Sequence, residues 1–339
     1  MTVAVTGASG HVGGNLVRAL LAQGRKVRAL VRQDRRALAG LDVEIVEGDL
    51  FDETSLARLV DGAKTVFHLA ARISIVGPEG GLVERATVLG PRNVAAACLA
   101  AGVERLVHTS SIHAFSTYPN SEVVDETRAL ALDRRHMDYD RSKARGTLEV
   151  LAAVERGLDA VIVHPSGVVG PYDFKMSRMG AVLLDLVHRR LPALIDGGYN
   201  WVDVRDVVAG MLAAERKGRR GECYLLTGRW AHIVELAALV TELTGRPTPR
   251  LATPLWLALP ASYGSLIWGL LTGTTPKFTP KAVRSVSMHR YISHMKATDE
   301  LGYDPRPLAE TVRDTLAWFA EAGMLEEPYA EPQASAAEG

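Results

Sequence analysis

Short apolar runs alternate with stretches of helical periodicity through the first half of the chain. The runs that predict strands cover residues 2–6, 26–31, 43–46, 65–70, 105–109 and 160–164. Between the first two runs, apolar positions at helical spacing predict a helix that ends near Gly24. Further helices are predicted over 52–60, in a long region that ends at Ala101, and over 139–156. Strands that alternate with helices predict an α/β fold, a doubly wound parallel sheet with helices on both faces.

The pattern loosens after about residue 170. It predicts a short strand at 222–226 and helices over 179–190, 233–243 and 308–322. We therefore expect a first domain over 1–170, with later returns to its sheet near 200–228. A smaller, mainly helical substrate-binding region should occupy 171–325. The tail over 326–339 is rich in Ala, Glu and Pro, and such a composition predicts disorder.

One segment, residues 251–276, carries no charged side chain. A membrane span needs ~20 apolar residues, but Pro254, Pro260 and Gly264 interrupt this run. We favour a pair of short buried helices, with Trp256 and Trp268 in the core. The alternative is an apolar lid over a hydrophobic substrate that also touches a membrane surface.

Charge and cysteine content narrow the classes of protein. Lys plus Arg and Asp plus Glu both total 39, so there is none of the basic excess that marks a nucleic-acid binder. Cys98 and Cys223 lie far apart, which favours a reducing compartment and argues against a zinc site. The first predicted strand starts at Thr2 and leaves no room for a signal peptide, so we expect a cytoplasmic protein without a metal.

A glycine-rich loop joins the first predicted strand to the first helix. Gly7 permits the tight turn, Gly10 lets the backbone approach a pyrophosphate, and Gly13 lets helix and strand pack closely. The N-terminus of the helix then faces the phosphates. This loop, between a clear strand and a clear helix, predicts a Rossmann-type dinucleotide site.

The end of the second strand distinguishes NADP from NAD. An acidic residue there would bind the ribose 2′-hydroxyl, but the chain has Arg32, with Arg35 and Arg36 beyond it. A guanidinium suits a 2′-phosphate, so NADP(H) is preferred and NAD(H) stays possible. Asp49 could accept a hydrogen bond from the adenine amino group, or could be an ordinary helix cap.

Three side chains suggest carbonyl chemistry. Tyr139 and Lys143 stand at i and i+4, on one face of a helix. A nearby ammonium favours phenolate, so we expect Lys143 to lower the pKa of Tyr139. A phenol tuned in this way donates a proton to a carbonyl as hydride arrives, or accepts one in reverse. Ser111, at the end of the fifth strand, would hydrogen-bond the substrate oxygen, with Ser110 as the fallback.

Taken together, these motifs resemble the extended branch of the short-chain dehydrogenase/reductase superfamily, the NAD-dependent epimerase/dehydratase family. Within it the chain looks most like the dihydroflavonol-4-reductase-like group, which includes hopanoid-associated and 3β-hydroxysteroid dehydrogenase-like bacterial members. The motifs that carry the resemblance are the glycine loop over 7–13 and the segments 48–50, 66–71, 139–143, 202–207 and 296–303.

The resemblance implies roles for individual residues. Tyr139 would be the general acid and base, Lys143 would hold the nicotinamide ribose, and Ser111 would polarise the substrate carbonyl. Backbone groups near 165–168 would meet the nicotinamide carboxamide. The expected cofactor-binding residues are Gly7, Ser9, Gly10, His11, Val12, Gly13, Arg32, Asp49, Leu50, Leu69, Ala70, Ala71, Thr109, Tyr139, Lys143, His164, Pro165, Ser166 and Val168.

Two departures from the family pattern and two substrate candidates stand out. The family's usual asparagine in the helix after the fourth strand is Thr87 here, which puts a proton relay in doubt. Its usual Arg-Pro after the sixth strand begins with His164 here. His113 and Tyr172 are the expected substrate contacts. His68, inside a strand, is expected to be a hydrogen-bonded core histidine.

Three functions remain at this point. The favoured one is an NADPH-dependent reductase of an aldehyde or ketone of a fairly apolar small molecule. A nucleotide-sugar epimerase or a 3β-hydroxysteroid-type dehydrogenase is the alternative. Ile112 and His113 replace the Asp-Glu pair of the related dehydratases, which argues against dehydration and leaves epimerisation open. A non-catalytic NADP-binding redox sensor is the most remote. The resemblance also implies a homodimer built through helices.

Overall fold

The computed structural model describes residues 1–72, 79–191, 193–272 and 290–325, together with residues 280, 283, 286 and 288. Its strands are β1 (Thr2–Thr6), β2 (Lys26–Val31), β3 (Val43–Glu47), β4 (Thr65–His68), β5 (Arg105–Thr109), β6 (Ala160–Pro165), β7 (Gly167–Val169), β8 (Leu194–Ile195), β9 (Gly198–Asp203), β10 (Cys223–Leu226), β11 (Arg229–His232) and β12 (Ala252–Thr253).

The helices within the same residues are α1 (His11–Ala22), α2 (Glu53–Val60), α3 (Leu82–Glu84), α4 (Gly90–Ala101), α5 (Asp138–Glu155), α6 (Arg178–Val187), α7 (Val204–Lys217), α8 (Ile233–Thr244), α9 (Leu255–Thr272), α10 (Met295–Leu301) and α11 (Leu308–Glu321). A π-helical turn, Arg85–Leu89, joins α3 to α4. Shorter 3-10 turns lie at Arg36–Leu38, Glu79–Gly81 and Ile112–Ala114.

Seven strands form one parallel sheet in the order β10-β6-β5-β4-β1-β2-β3. This confirms the predicted Rossmann-type fold. The strand order changes direction next to β1: β2 and β3 lie on one side of it, and β4, β5 and β6 lie on the other. Ligands of such sheets bind at the carboxyl ends of the strands next to this point. The division into domains near residue 170 stays a prediction; β10, from beyond it, forms an edge of this sheet.

Helices cover both faces of the sheet because both faces of its central strands are apolar. One face packs α1 and α7 through side chains such as Leu16, Leu20 and Met211. The other packs α2, α4 and α5 through Leu56 and Val150 among others. Burial of each such side chain contributes about 1.5–3 kcal/mol to the stability of the fold. This packing also holds the first turn of α5 near the end of β5.

A separate apolar cluster organises the later part of the chain. Helices α6, α8 and α11 pack around Trp201 of β9, with Phe319 and Leu236 fully buried beside it. Strand β9 pairs in parallel with β7 and antiparallel with β11. The sequence analysis did not predict these strands, because β7 has only three residues and the segments of β9 and β11, GYNWVD and RWAH, contain no continuous apolar run.

Three sequence predictions need correction. The predicted fourth strand ends at His68 rather than at residue 70. The long helical region before Ala101 is broken into separate 3-10, α and π turns where it is described. The apolar segment forms one helix, α9, that continues through Pro260, rather than a pair of buried helices.

Helix α9 is also more exposed than expected. Trp256 is 77% exposed, and Leu257 and Tyr263 are about half exposed, so the interpretation of Trp256 as a core residue is wrong. Among the side chains of α9 that the structure describes, Ala258 and Ser262 are buried. The side chain of Trp268 lies outside the described residues, as do those of the tail over 326–339. Among the helices that the structure describes, none is long and apolar enough to cross a membrane.

Candidate active site

The glycine loop has the backbone geometry that a pyrophosphate requires. Gly7 has a φ of 73°, and a Cβ there would stand 2.6 Å from the Ala70 nitrogen. A Cβ on Gly13 would stand 2.1 Å from the Gly7 carbonyl oxygen. Gly10 is the N-cap of α1 and provides no side-chain cap, so the first amides of that helix point into the loop. An anion fits such a helix start, and Ser9 and Val12 flank it.

His11 fastens a second loop to this helix. Its Nε2 lies 3.1 Å from the Gly170 carbonyl oxygen and 3.0 Å from that of Pro171. The Asn15 amide also donates to the Pro171 carbonyl, at 3.0 Å. His11, expected among the cofactor-binding residues, therefore joins the glycine loop to the loop that carries Tyr172.

Tyr172 belongs to an aromatic cluster beside α1. Its φ is 60° and its ring is 39% exposed. The Arg18 guanidinium lies 4.5 Å from its centroid, and the rings of Phe174 and Trp318 pack next to it. These contacts account for the packing of Tyr172 beside α1, and its role as a substrate contact stays a prediction.

Arg32 differs from its two basic neighbours. Arg35 pairs with Glu47, and Arg36 pairs with Asp34 at 2.8 Å. Arg32 is exposed at the end of β2, and within the described part of the chain it has no ion pair. Its guanidinium is thus available for an anion beside the glycine loop.

The adenine side of the loop is built by backbone contacts. The Asp49 carboxylate accepts a hydrogen bond from the Phe51 amide at 3.0 Å. Asp52, not Asp49, caps α2, because its carboxylate accepts from the amides of Thr54 and Ser55. The buried Leu50 receives a hydrogen bond on its carbonyl from Asn93. After β4, the Ala70 amide donates to Thr6 Oγ1 at 3.3 Å, which places residues 69–71 against Gly7.

Ser111 and Ser110 face different surroundings. The Ser111 hydroxyl lies near enough to Tyr139 to lower the pKa of the phenol, and it accepts a hydrogen bond from the His113 amide at 3.3 Å. The Ser110 hydroxyl instead pairs with Thr147 at 2.9 Å, where α5 packs on the sheet. The geometry therefore favours Ser111 over the fallback.

Lys143 is buried and Tyr139 is partly buried, and the loss of hydration governs the acidity of both groups. Desolvation raises the pKa of Tyr139 to about 12, against a smaller lowering by the Ser111 hydrogen bond. Desolvation also lowers the pKa of Lys143 to about 8. The expected lowering of the Tyr139 pKa by Lys143 is not found, because the loss of hydration opposes the charged form of each group. The Lys143 ammonium lies 3.5 Å from the Thr109 carbonyl oxygen.

A histidine–aspartate pair adjoins Tyr139. His113 Nδ1 lies 2.9 Å from Asp140 Oδ1, and the other carboxylate oxygen accepts from the Met137 amide at 3.3 Å. The His113 ring meets the Tyr139 ring edge-on, with 5.5 Å between centroids. Sequence reasoning gave Asp140 no role, although it stands inside the Tyr139–Lys143 motif.

His164, at the end of β6, holds the backbone of Ser111 in place. Its Nδ1 donates to the Ser111 carbonyl at 2.9 Å, and its ring packs on Phe115. This departure from the family's arginine thus fixes the backbone that carries the Ser111 hydroxyl. Pro165 ends β6, Ser166 donates to the Asn200 side chain at 2.9 Å, and Val168 pairs with Val202.

A layer of buried imidazoles lies beneath the site, on adjacent strands. The rings of His68 and His108 stack at 5.1 Å, and His68 Nδ1 lies 2.6 Å from Thr6 Oγ1. Burial lowers the pKa of His68 to about 3 and that of His164 to about 4, and holds that of His108 well below its usual value. Within the described residues, His68 Nε2 has no hydrogen-bond partner, so only one of the two ring nitrogens of this core histidine is hydrogen-bonded.

Thr87 lies in the π-helical turn against α5. It is buried, and its hydroxyl has no partner among the described residues. A Cβ on Gly146 would stand 2.2 Å from the Thr87 carbonyl oxygen, so the close approach of the turn to α5 depends on that glycine.

The comparisons agree with this fold. A model of the NAD dependent epimerase/dehydratase family matches residues 3–226. The chain belongs to that family, as its motifs predicted, and it is an NAD(P)-dependent oxidoreductase.

Its similarity to individual proteins extends over nearly the whole chain. It is 39% identical over 329 residues to "Sterol demethylase protein B" of Methylococcus capsulatus, covering 96% of this chain and 100% of that protein. It is 35% identical over 327 residues to a "Putative dihydroflavonol 4-reductase" of Synechocystis, covering 95% of each. The crystal structure of gox2253 superimposes with a TM-score of 0.83 at 34% identity, covering 96% of this chain and 99% of that one.

Proposed function

We propose that the protein is an NADPH-dependent reductase of an aldehyde or ketone on a fairly apolar small molecule. The observation that carries this proposal is the convergence of Ser111, Tyr139 and Lys143 at the end of β5. His113 contacts both Ser111 and Tyr139, and the Lys143 ammonium lies 3.5 Å from the Thr109 carbonyl oxygen. Two hydroxyls at the carboxyl end of β5 suit a carbonyl oxygen, and the glycine loop lies on the same edge of the sheet.

Each side chain has a distinct role in this proposal. Ser111 donates a hydrogen bond to the carbonyl oxygen and orients it. Tyr139 supplies the proton to that oxygen, and its raised pKa of about 12 keeps the phenol protonated near neutral pH. Lys143 supplies a positive charge beside the phenolate that forms. When bound, NADPH supplies the hydride that reduces the carbonyl carbon.

The residues present fit a dinucleotide. The loop at Gly7, Gly10 and Gly13 would hold the pyrophosphate, since any Cβ at the first or third position would clash. Arg32 would hold the 2′-phosphate, which makes NADP(H) the preferred cofactor and NAD(H) a poorer one. Lys143 and the backbone after β6 would hold the nicotinamide end.

A 3β-hydroxysteroid-type dehydrogenase is the second candidate. The relative named for sterol demethylation favours it, because a sterol is an apolar molecule with an oxidisable hydroxyl. The same Ser111, Tyr139 and Lys143 would serve, with Tyr139 accepting the proton as the alcohol is oxidised. A panel that includes both steroid ketones and smaller ketones distinguishes the two candidates.

A fluorescence titration with NADPH and NADH tests the cofactor assignment. We expect NADPH to bind at least about tenfold tighter, a difference of ~1.4 kcal/mol. Tightly bound NAD that copurifies and does not exchange would overturn the assignment and favour a nucleotide-sugar epimerase.

The variant Tyr139→Phe tests the chemistry. It should lose about 100-fold or more of the turnover while it keeps its affinity for NADPH. Turnover that survives this change would contradict the proposed role of Tyr139. A protein that binds NADP(H) and reduces nothing in the panel would instead favour the redox-sensor hypothesis.

We further propose that the protein is a homodimer through the face formed by the π-helical turn, α4 and α5. Leu82, Leu89 and Leu148 are exposed there by 48%, 37% and 41%. Ion pairs surround them, Arg92 with Glu149 and Arg145 with Glu84. Exposed leucines within a charged rim are typical of a protein–protein contact.

A further inference from the structure

The first turn of α5 places a buried carboxylate directly beside the proposed proton donor. Asp140 follows Tyr139 in the chain and is 4% exposed. One carboxylate oxygen receives the His113 imidazole at 2.9 Å and the other receives the Met137 amide at 3.3 Å. A buried charge persists only where hydrogen bonds replace its lost hydration, and His113 is the side chain that supplies one.

His113 is linked to the site through three contacts. Its amide donates to the Ser111 hydroxyl, its Nδ1 donates to Asp140, and its ring lies edge-on against the Tyr139 ring. The acceptor is a carboxylate, so Nδ1 carries the proton in this pair. The His113 side chain is 28% exposed, whereas that of Asp140 is 5% exposed.

We propose that His113 and Asp140 form a positioning pair that orients the Tyr139 ring and sets how readily the Tyr139 hydroxyl gives up its proton. This inference rests on the proposed role of Tyr139 as acid and base. The Asp140 carboxylate opposes a second negative charge on Tyr139, and the hydrogen bond from His113 partly neutralises that carboxylate. The pair thus keeps Tyr139 protonated for reduction without leaving a bare buried charge.

The electrostatics of Tyr139 agree with this arrangement. Desolvation is the largest cause that raises the Tyr139 pKa, and the charge of Asp140 raises it further. Ser111 and Arg178, at the start of α6, lower it. The other groups that face this turn are His136, in the loop before α5, and Lys143, one turn along the helix. Asp138 is on the same turn but pairs with Arg141 at 2.5 Å and is 41% exposed.

Substitutions of the two partners should have opposite effects. In the oxidative direction, with NADP⁺ and the alcohol product of the best ketone, the rate rises with pH as Tyr139 ionises. Asp140→Asn removes the charge and should lower the midpoint of this profile by about one pH unit. His113→Phe keeps a ring against Tyr139 but leaves the carboxylate without its side-chain donor, so the midpoint should rise.

Two control variants distinguish a specific effect on the Tyr139 proton from a general disturbance of the structure. Asp138→Asn makes the same charge change on an exposed, paired residue and should leave the midpoint unchanged. His113→Asn restores a donor near the Nδ1 position and should return the midpoint toward that of the unaltered protein. In the Asp140→Asn background, His113→Phe should add no shift, because the charge that it exposes is gone.

Tyrosine ¹³Cζ NMR provides a readout that needs no substrate. The Tyr139 signal, identified by its loss in Tyr139→Phe, should titrate at lower pH in Asp140→Asn than in Asp138→Asn. Equal titration in these two variants, or kinetic shifts of the same sign for both partners, would overturn the inference. If Tyr139→Phe keeps its turnover, the proposed function fails, while the NMR titration still decides whether the pair tunes Tyr139.

Discussion

At the scale of single residues, the end of β2 offers three guanidinium groups in very different states. All three are exposed, but Arg35 forms an ion pair with Glu47 and Arg36 forms one with Asp34. Within the described residues, Arg32 has no ion pair. Sequence distance alone could not rank these arginines. Their ion pairs leave Arg32 as the group available to a 2′-phosphate.

Arg32→Gln should therefore weaken NADPH binding by about tenfold, ~1.4 kcal/mol, and leave NADH binding nearly unchanged. Arg36→Gln removes a similar charge that is already paired, so it should change both affinities little. Fluorescence titration of the two variants provides the measurement. Equal losses for NADPH and NADH in Arg32→Gln would mean that this arginine does not distinguish the cofactors.

Tyr139 shows where a sequence rule is incomplete. The spacing of Tyr139 and Lys143 correctly placed both on one helical face, and it predicted that the lysine would lower the phenol pKa. Burial reverses that direction, because it raises the pKa of Tyr139 and lowers that of Lys143. The degree of burial depends on packing by distant segments, which spacing does not report.

At the scale of elements, the π-helical turn Arg85–Leu89 depends on a glycine in the neighbouring helix. Gly146 of α5 lies so close to the Thr87 carbonyl that a Cβ would approach it to 2.2 Å. Backbone cannot yield as a flexible side chain does, so the two elements would have to separate.

We expect Gly146→Ala to destabilise the protein by about 1–3 kcal/mol, as overpacking does. Gly264→Ala in α9 is the matched control, because a Cβ there meets nothing within 4 Å among the residues that the structure describes. An exposed helical alanine should be neutral or stabilise by up to about 1 kcal/mol. Thermal unfolding of both variants measures the difference, and an unchanged melting temperature for Gly146→Ala would contradict this account of the turn.

The sequence predicted elements best where an apolar pattern was long. Helices α1, α5 and α8 and the six strands β1 to β6 were predicted at or within a few residues of their observed positions. Strand β7 was missed because it has only three residues, and β9 and β11 were missed because GYNWVD and RWAH contain no continuous apolar run. Helix α9 was misjudged because Pro260 usually ends a helix, and here the helix continues.

The parts of the candidate site that lie within one element could be predicted from the sequence, and the contacts between separate segments could not. Fixed spacing within one element revealed the glycine loop and Tyr139 with Lys143. Contacts that join separate segments, such as His113 with Asp140 or His164 with Ser111, leave no periodic trace. The acidic residue after Tyr139 was the one signal that could have suggested the first of them.

At the scale of the whole molecule, the three imidazoles in the sheet link folding to pH. His68, His108 and His164 stay neutral in the fold because burial lowers the pKa of each, to about 3 for His68 and about 4 for His164. The unfolded chain takes up these protons at higher pH, near 6.5. The stability that the neutral rings provide is therefore complete above pH ~6.5 and is lost as the pH falls below it.

Urea unfolding between pH 7.5 and pH 5 should show this loss as a falling free energy of unfolding. His68→Gln should flatten the dependence, since one buried titrating group is removed. A slope that is the same in the variant and the unaltered protein would show that other groups govern acid stability.

The proposed dimer face gives a test of assembly. Leu148→Glu places a charge next to the exposed Leu82 and Leu89 on the proposed dimer face and should shift the protein toward monomer in light scattering after gel filtration. Leu257→Glu in α9 changes a similarly exposed leucine elsewhere and should leave the mass unaltered. A protein that is monomeric before any substitution would refute the dimer.

The hydrogen bonds from His11 and Asn15 to residues 170–171 have a consequence for the order of events in catalysis. Residues 170 and 171, next to Tyr172, are fastened to the start of α1, the helix that we propose to receive the pyrophosphate. Nucleotide binding there should stiffen α1 and, with it, the loop that carries Tyr172. We therefore expect a compulsory sequence in steady-state kinetics, with the nucleotide arriving first and leaving last.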